Sequence, residues 1–504
     1  MELLANLALG AAVVFTPENL FWCFVGCLLG TLIGVLPGIG PLATIAILLP
    51  ITYKMGDPST ALIMLAGIYY GSQYGGSTTA ILVNIPGESS SVVTSLDGYQ
   101  MAKKGQAGLA LAVAALGSFF AGTVGTLLIA AFAPPLADMA LAFGPAEYFS
   151  LMVMGLIAAV VLAHGSFLKA LAMVVFGLLL GLVGTDVNSG VFRFTLGIPE
   201  LADGFEFAVV AMGMFGFAEI IHNLKAQGTR SLLTEKISDL MPTAKQLKKA
   251  APATVRGTLL GSVLGILPGG GHILSSFASY AIEKKISKHP EEFGKGAIEG
   301  VAGPESANNA GAQTSFIPML TLGIPTTPVM ALMVAAMMIH NIQPGPQVMT
   351  NNPDLFWGLI VSMWVGNLML VLLNLPLIGI WIRLLKVPYR LLYPAILVFC
   401  CIGAYSINNS VWDVLMTVPF AILGYYFKKW KCEPAPLLLG FILGELMEEY
   451  LRRALTISRG DWGFFWDRPI SAGLLTVSAV LLLVMLLPAI RRRRDQAFEG
   501  EADS

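Results

Sequence analysis

Charge is scarce in this sequence: only 12% of its 504 residues are Asp, Glu, Lys or Arg, while 56% are hydrophobic. Soluble domains carry about a quarter charged residues, so a water-facing surface of ordinary composition is excluded. A formal net charge of −1 leaves no basic footprint for nucleic acid. Cysteine and histidine are scarce too. The five cysteines, at 23, 27, 400, 401 and 432, form no Cys-x-x-Cys pair and have no histidine at metal-ligand spacing. Neither a disulfide framework nor a zinc site follows, and they read as core residues. Also missing are a Gly-x-x-x-x-Gly-Lys-Ser/Thr loop, a His-Glu-x-x-His pair and a Gly-x-Ser-x-Gly turn. ATP hydrolysis by the chain itself, metalloprotease chemistry and serine hydrolysis therefore have no residues to carry them. No cofactor is called for beyond an ion. Residues 1–20 lack the basic stretch of a cleavable signal, since Glu2 is the sole charge before Glu18, and the start reads as mature protein.

What the sequence has is apolar length. Runs at 107–133, 146–163, 355–380 and 470–490 reach the roughly 20 residues that cross a bilayer. So many runs make an all-α polytopic bundle with lipid as its solvent.

The glycines divide the bundle in two. Gly26, Gly30, Gly34, Pro37, Gly38 and Gly40 recur as Gly257, Gly261, Gly265, Pro268, Gly269 and Gly271, each 231 residues later. Gly-Gly-Ser-Thr-Thr at 75–79 resembles Ala-Gly-Ala-Gln-Thr at 310–314, and Asn-Ile-Pro-Gly at 84–87 resembles Gly-Ile-Pro-Thr at 323–326. We read a first transmembrane repeat over 1–222, a basic cytoplasmic linker over 223–256, a second repeat over 257–490 and a cytoplasmic tail over 491–504. Each repeat is expected to open with a re-entrant helical hairpin broken at Pro-Gly and to continue with a broken transmembrane helix. If short basic loops lie in the cytoplasm, 24 of the 30 basic residues fall inside. Only Lys54, Arg193, Arg452, Arg453, Arg459 and Arg468 lie outside. The first hairpin then has both ends outside and the second both ends inside, so the repeats have inverted topology. This is the organisation of secondary transporters that alternate access by exchanging the two repeats' conformations.

Broken helices free backbone amides and carbonyls at membrane depth, where something must pair with them. The breaks at 37–40, 84–91, 268–271 and 322–328 are either structural kinks or ligand sites. Helix N-termini after such breaks attract anions without Lys or Arg, and freed carbonyls suit sodium. The candidate substrate-binding residues are Gly38, Gly40, Ser77, Thr78, Thr79, Pro86, Gly87, Ser89, Gly269, Gly271, His272, Asn308, Asn309, Thr326 and Thr327. The candidate ion-binding residues are Ser72, Gln73, Asn84, Gln313, Thr314, Ser315 and Gly323, with sodium as the metal. Their hydroxyls and amides either hold ligands or bond between helices. Glu88, Glu299 and Glu305 are candidate coupling or gating groups, because intramembrane acids are costly to keep. A passive anion channel and a membrane-embedded enzyme are the alternatives.

The stretches Gly34-Val-Leu-Pro-Gly-Ile-Gly-Pro41, Asn84-Ile-Pro-Gly-Glu-Ser-Ser-Ser91 and Asp97-Gly-Tyr-Gln-Met-Ala-Lys-Lys-Gly105 carry a resemblance. So do Ser279-Tyr-Ala-Ile-Glu-Lys-Lys285, Gly303-Pro-Glu-Ser-Ala-Asn-Asn309 and Leu322-Gly-Ile-Pro325. With them the chain resembles the large membrane subunit of tripartite tricarboxylate transporters, over nearly its whole length. The resemblance implies a multi-pass subunit of the bacterial inner membrane with a cytoplasmic C-terminus. Its expected partners are a small membrane subunit and a periplasmic solute-binding protein, and a homo-oligomer is compatible with it. It also implies sodium symport of citrate or another carboxylate. His272 and Thr326-Thr327 differ from the residues usual in the family at those positions.

Overall fold

The computed structural model describes residues 2–36, 40–84, 87–140, 142–163, 166–186, 189–218, 221, 240–267, 271–384, 394, 397, 398, 400–402, 404, 405, 408–432 and 435–486. Pro37, Gly38, Pro86 and Gly269, most of the basic linker and the tail lie outside them. The first half runs α1 Glu2–Val14, α2 Pro17–Val35, α3 Pro41–Tyr53, α4 Pro58–Val83, α5 Val92–Lys103, α6 Ala107–Ala140, α7 Pro145–Leu162, α8 Phe167–Gly181 and α9 Phe207–Ala211. Then come α10 Ala244–Leu264, α11 Gly271–Ile286, α12 Glu299–Thr314, α13 Phe316–Leu322, α14 Pro328–Ile339, α15 Gln347–Asn351, α16 Pro353–Asn374 and α17 Ile378–Leu384. The last are α18 Val411–Lys429, α19 Ala435–Ile457, α20 Phe464–Asp467 and α21 Pro469–Leu486. A two-residue ribbon, β1 Gly184–Thr185 against β2 Phe192–Arg193, is the strand pairing among the described residues. Helix α10 starts inside the 223–256 segment read as linker.

Several helices start where a capping side chain precedes proline. Thr16 accepts from Asn19 N at 3.4 Å, Asp57 from Ser59 N at 2.9 Å and Thr327 from Met330 N at 3.1 Å, each followed by Pro at the first helical position. The side chain satisfies an amide the helix leaves open, and proline lacks the amide that would be orphaned there.

The expected apolar runs correspond to α6, α7, α16 and α21. Among the described residues, three helices, at 17–35, 107–139 and 353–374, are long and apolar enough to cross a membrane, and shorter apolar helices accompany them. Leu259, Val263, Leu368, Leu372, Val480 and Leu483 point outward and exposed. Lipid accepts such a surface where water would not, and the chain is a multi-pass helical membrane protein. Inside, Tyr69 and Tyr70 pack on Phe316 with ring centroids 6.2 and 5.7 Å apart, beside Phe356, Trp357 and the apolar face of α14. Cys23, Cys27 and Cys400 are buried free thiols, while Cys401 and Cys432 are partly exposed.

Two helix pairs touch backbone to backbone. A Cβ on Gly26, Gly30 or Gly34 of α2 would collide with the carbonyls of Met64, Ile68 and Ser72 on α4. On α10, Gly257, Gly261 and Gly265 meet the carbonyls of Gly303, Ala307 and Gly311 on α12 in the same way. Small residues four apart allow this approach. The geometry also sets a register: Met64 and Gly303, Ile68 and Ala307, and Ser72 and Gly311 are each 239 residues apart. Asn84 and Gly323, the left-handed residues that end α4 and α13 at φ 58° and 72°, share that separation. The motif match of 75–79 with 310–314 therefore sits one helical turn out of this register. A slip of four leaves a small-residue face in place, so motif matching does not detect it.

Asp97 ties the halves together. Its carboxylate accepts from Gly296 N at 2.6 Å, Ala297 N at 2.8 Å and Tyr280 Oη at 2.9 Å, at the N-terminus of α12. Open amides and the positive end of the helix both favour an anion there.

Candidate functional site

Past Asn84 the chain folds back on its own helix. Gly87 fits where a Cβ would strike the Gly34 carbonyl and stand 2.6 Å from Gly76 Cα and 2.9 Å from Thr79 Oγ1. Thr79 donates to Gly76 O at 2.9 Å. In the second half, Thr326 Oγ1 donates to Ser315 O at 3.3 Å, and Thr327 caps α14. Left-handed φ and close approach are what glycine supplies at Gly323, where a side chain would meet Pro344 O at 2.7 Å.

Polar side chains converge where α4 meets α12. Glu305, fully buried, accepts from Ser77 Oγ at 2.6 Å and from Thr94 Oγ1, so both carboxyl oxygens are held by hydroxyls of the first half. Ser276 of α11 donates to Ser90 O at 2.9 Å. Ser90 Oγ lies 2.8 Å from Glu88 Oε1 and 3.3 Å from Gln73 Oε1, one proton between two acceptors. Asn308 faces the Glu88 carboxyl, and Tyr69 faces Ser315 and Thr327. The His272 ring stands edge-on to Tyr69 at 6.3 Å, which brings the start of α11 to the same place. No Lys or Arg belongs to this cluster.

Six buried polar atoms on α4 and α12 have no hydrogen-bond partner among the described residues: Tyr69 Oη, Tyr70 Oη, Gln73 Nε2, Gln313 Oε1 and both amide atoms of Asn308. Each such atom costs about 1–3 kcal/mol, so the set is not a packing solution. A ligand or water that bonded to them would remove that cost. Tyr69 and Tyr70 stand 239 residues before Asn308 and Asn309, the separation already seen between the glycine contacts of α4 and α12.

The other expected residues are spread more widely. Asn309 Nδ2 donates to Ser118 Oγ at 2.7 Å and to Glu305 O at 3.0 Å. Thr78 bonds weakly to Tyr74 O at 3.4 Å. Ser72, Thr314 and Ser315 donate to carbonyls of their own helices at 2.7, 3.1 and 2.7 Å. Asn84 and Ser89 are exposed, Gly40 begins α3 with open space around it, and Gly271 packs on Leu264 O. Glu299 is not in the cluster and pairs with Lys249 at 3.4 Å. Among the described residues no three His, Cys, Asp or Glu side chains stand together as a metal site, so a cation would be held by hydroxyl, amide and carbonyl oxygens. Sequence reasoning missed Tyr69, Tyr70, Ser90, Thr94 and Ser276. The register of 239 would have paired the tyrosines with Asn308 and Asn309, whereas nothing in the local sequence marks the serines.

No solved structure matches this chain. It is 60% identical over 501 residues, 99% of this chain and 100% of the relative, to a protein of Agrobacterium vitis described as an uncharacterized 52.8 kDa protein in the TAR-I ttuC' 3'region. It is 63% identical over 238 residues to a second protein of that organism, described as an uncharacterized protein in the TAR-II ttuC' 3'region. That match covers 47% of this chain and 98% of the relative. Residues 20–439 match the family described as the tripartite tricarboxylate transporter TctA family. This match spans the glycine rows, both broken helices and the polar cluster between them, and the chain belongs to that family.

Proposed function

We propose that this chain is the subunit through which a tricarboxylate or related carboxylate, delivered by a periplasmic solute-binding protein, crosses the inner membrane by sodium symport. The observation that carries the reading is the set of unpaired buried polar atoms on two equivalent broken helices. Hydroxyls and amides there hydrogen-bond a carboxylate, and the N-terminus of α14 adds a favourable field. Where ionised, Glu88 and Glu305 repel an incoming carboxylate, by about 4 kcal/mol for unit charges about 4 Å apart at an effective dielectric of about 20. A co-bound cation removes that cost, and linkage then makes each ligand tighten the other.

The recurrent glycine geometry supports two repeats, and the basic residues support their inversion. Lys104 Nζ reaches Lys295 O and Lys169 Nζ reaches Trp430 O, both at 2.5 Å, joining segments assigned to the cytoplasm. Arg193 pairs with Glu448 at 2.8 Å, Arg452 with Asp186 at 3.1 Å and Arg468 with Glu147. These arginines, assigned outside, are neutralised by acids. The re-entrant hairpins, the small membrane subunit and the cytoplasmic C-terminus belong to the same reading.

Proteoliposomes holding this chain and the small membrane subunit, supplied with the solute-binding protein and labelled citrate or other carboxylates, test it. Uphill accumulation that needs both the binder and an inward sodium gradient is expected. Equilibration without a gradient would make the protein a channel, and no uptake of any carboxylate would refute the substrate class.

A further inference from the structure

A small cavity lies beside the polar cluster, between α4, α6 and α16. Its volume is about 10 Å³, and its polar lining is Tyr74, Ser77, Thr78, Ser118 and Asn374. That is room for about one water-sized occupant.

Leu111, Ala114 and Ala115 complete the lining, and apart from Ser118 the polar part of the wall has its protons committed elsewhere. Tyr74 Oη donates to Asn367 Oδ1 at 2.6 Å, Ser77 Oγ to Glu305 Oε2 at 2.6 Å and Thr78 Oγ1 to Tyr74 O at 3.4 Å. Asn374 Nδ2 donates to Leu370 O at 2.9 Å and to Thr31 Oγ1 at 3.3 Å. Ser118 Oγ already accepts from Asn309 Nδ2 at 2.7 Å. Asn374 is 4% exposed, yet its Oδ1 has no hydrogen-bond partner among the described residues. Oxygen lone pairs therefore face a small space with room for about one water-sized occupant. An anion is repelled there. A water has two protons for this wall, whereas a cation attracts every oxygen at once. One layer out, through Ser77, stands the Glu305 carboxyl with no basic residue beside it.

We propose that this cavity is a binding site for one small monovalent cation, held by neutral oxygens of α4, α6 and α16 and balanced by Glu305. The inference deepens the symport reading on which it rests by giving the coupling ion a place distinct from the substrate. Ser77 and Thr78 serve the ion, while Tyr69, Gln73 and Asn308 remain for the carboxylate. The ion would lock α4 to α16 on one side and, through Ser77 and Glu305, to α12 on the other. Filling the site thereby fixes the helix that carries the first break.

The test is ²²Na⁺ binding to the purified full-length chain, without binder or carboxylate and at constant ionic strength with choline, alongside thermal unfolding with NaCl, KCl or choline chloride. Saturable Na⁺ binding with stabilisation by NaCl is expected. Asn374→Leu and Thr78→Val should each weaken binding at least tenfold. Asn374→Asp, which keeps the cavity-facing acceptor and adds charge, should retain it. Na⁺ affinity within twofold of the parent in Asn374→Leu would overturn the proposal. Equal loss in Asn374→Leu and Asn374→Asp would also overturn it, assigning Asn374 a structural role and the cavity a water. Because the binding assay contains no carboxylate, Na⁺ affinity that survives Asn374→Leu sinks this site while leaving the symport reading intact. Absence of carboxylate uptake does the reverse.

Discussion

Glu305→Gln separates charge from shape at the centre of the cluster. The side chain keeps its size, and the Ser77 and Thr94 hydroxyls that donate to the carboxylate can equally accept from an amide. Stability should therefore move by no more than about 1 kcal/mol. Cation affinity should move much further. Ser77 lines the cavity and sits 2.6 Å from Glu305 Oε2, which puts ion and carboxyl on the order of 5 Å apart. At an effective dielectric of about 20 their attraction is about 3 kcal/mol, or roughly two decades in affinity. The assay is the sodium dependence of uptake in proteoliposomes, with thermal unfolding of the same preparation as the control. The half-saturating sodium concentration should rise on the order of a hundredfold while the melting temperature stays close to the parent's. An unchanged sodium dependence in a folded Glu305→Gln protein would refute the electrostatic argument.

Asp97→Ala should lower the stability of the solubilised protein by about 2–4 kcal/mol, seen in thermal unfolding, because two amides and the Tyr280 hydroxyl lose their acceptor at the start of α12. Gly30→Leu should cost about 1–3 kcal/mol or more, since its side chain would enter the Ile68 carbonyl. Leu372→Met, on the exposed face of α16, should change neither yield nor stability. Cysteines placed at His289 and Asp461, in a background lacking the native five, should label with an impermeant maleimide from opposite sides of the membrane. Labelling from one side would contradict the inverted topology.

The bundle was legible because lipid imposes a simple rule: apolar length means a helix, and the runs at 107–133 and 355–380 became α6 and α16. The breaks were legible for a related reason. Proline and glycine interrupt the helical bonding that the membrane otherwise enforces, and α4 and α13 do end at Asn84 and Gly323. The register between the halves was less legible, since glycine rows with a period of four look alike after a slip of four. Contacts such as those of Gly34 with Ser72 and of Gly265 with Gly311 choose between the alternatives. Long-range pairs left least trace. Asp97 lies 199 residues from Gly296 and Ser77 lies 228 from Glu305, distances over which local pattern says nothing. Asn374, a single amide at the end of an apolar helix, gave no sign in the sequence that its oxygen would face a cavity.

The most direct test of the central claim, that a carboxylate completes the unpaired atoms of α4 and α12, is Asn308→Leu. Asn308 is fully buried, and among the described residues neither of its amide atoms has a hydrogen-bond partner of good geometry, although it faces the Glu88 carboxyl. Replacing it with an apolar side chain of similar size removes a poorly satisfied group and gives up only its contact with the Glu88 carboxyl. The melting temperature should therefore hold or rise, whereas carboxylate affinity should fall by about 1–3 kcal/mol, roughly five- to 150-fold, as the ligand loses its partner. The measurement is the half-saturating carboxylate concentration for sodium-driven uptake at matched protein levels, with the melting temperature taken on the same sample. An unchanged half-saturating concentration in a stable Asn308→Leu protein would place the substrate elsewhere and contradict the account.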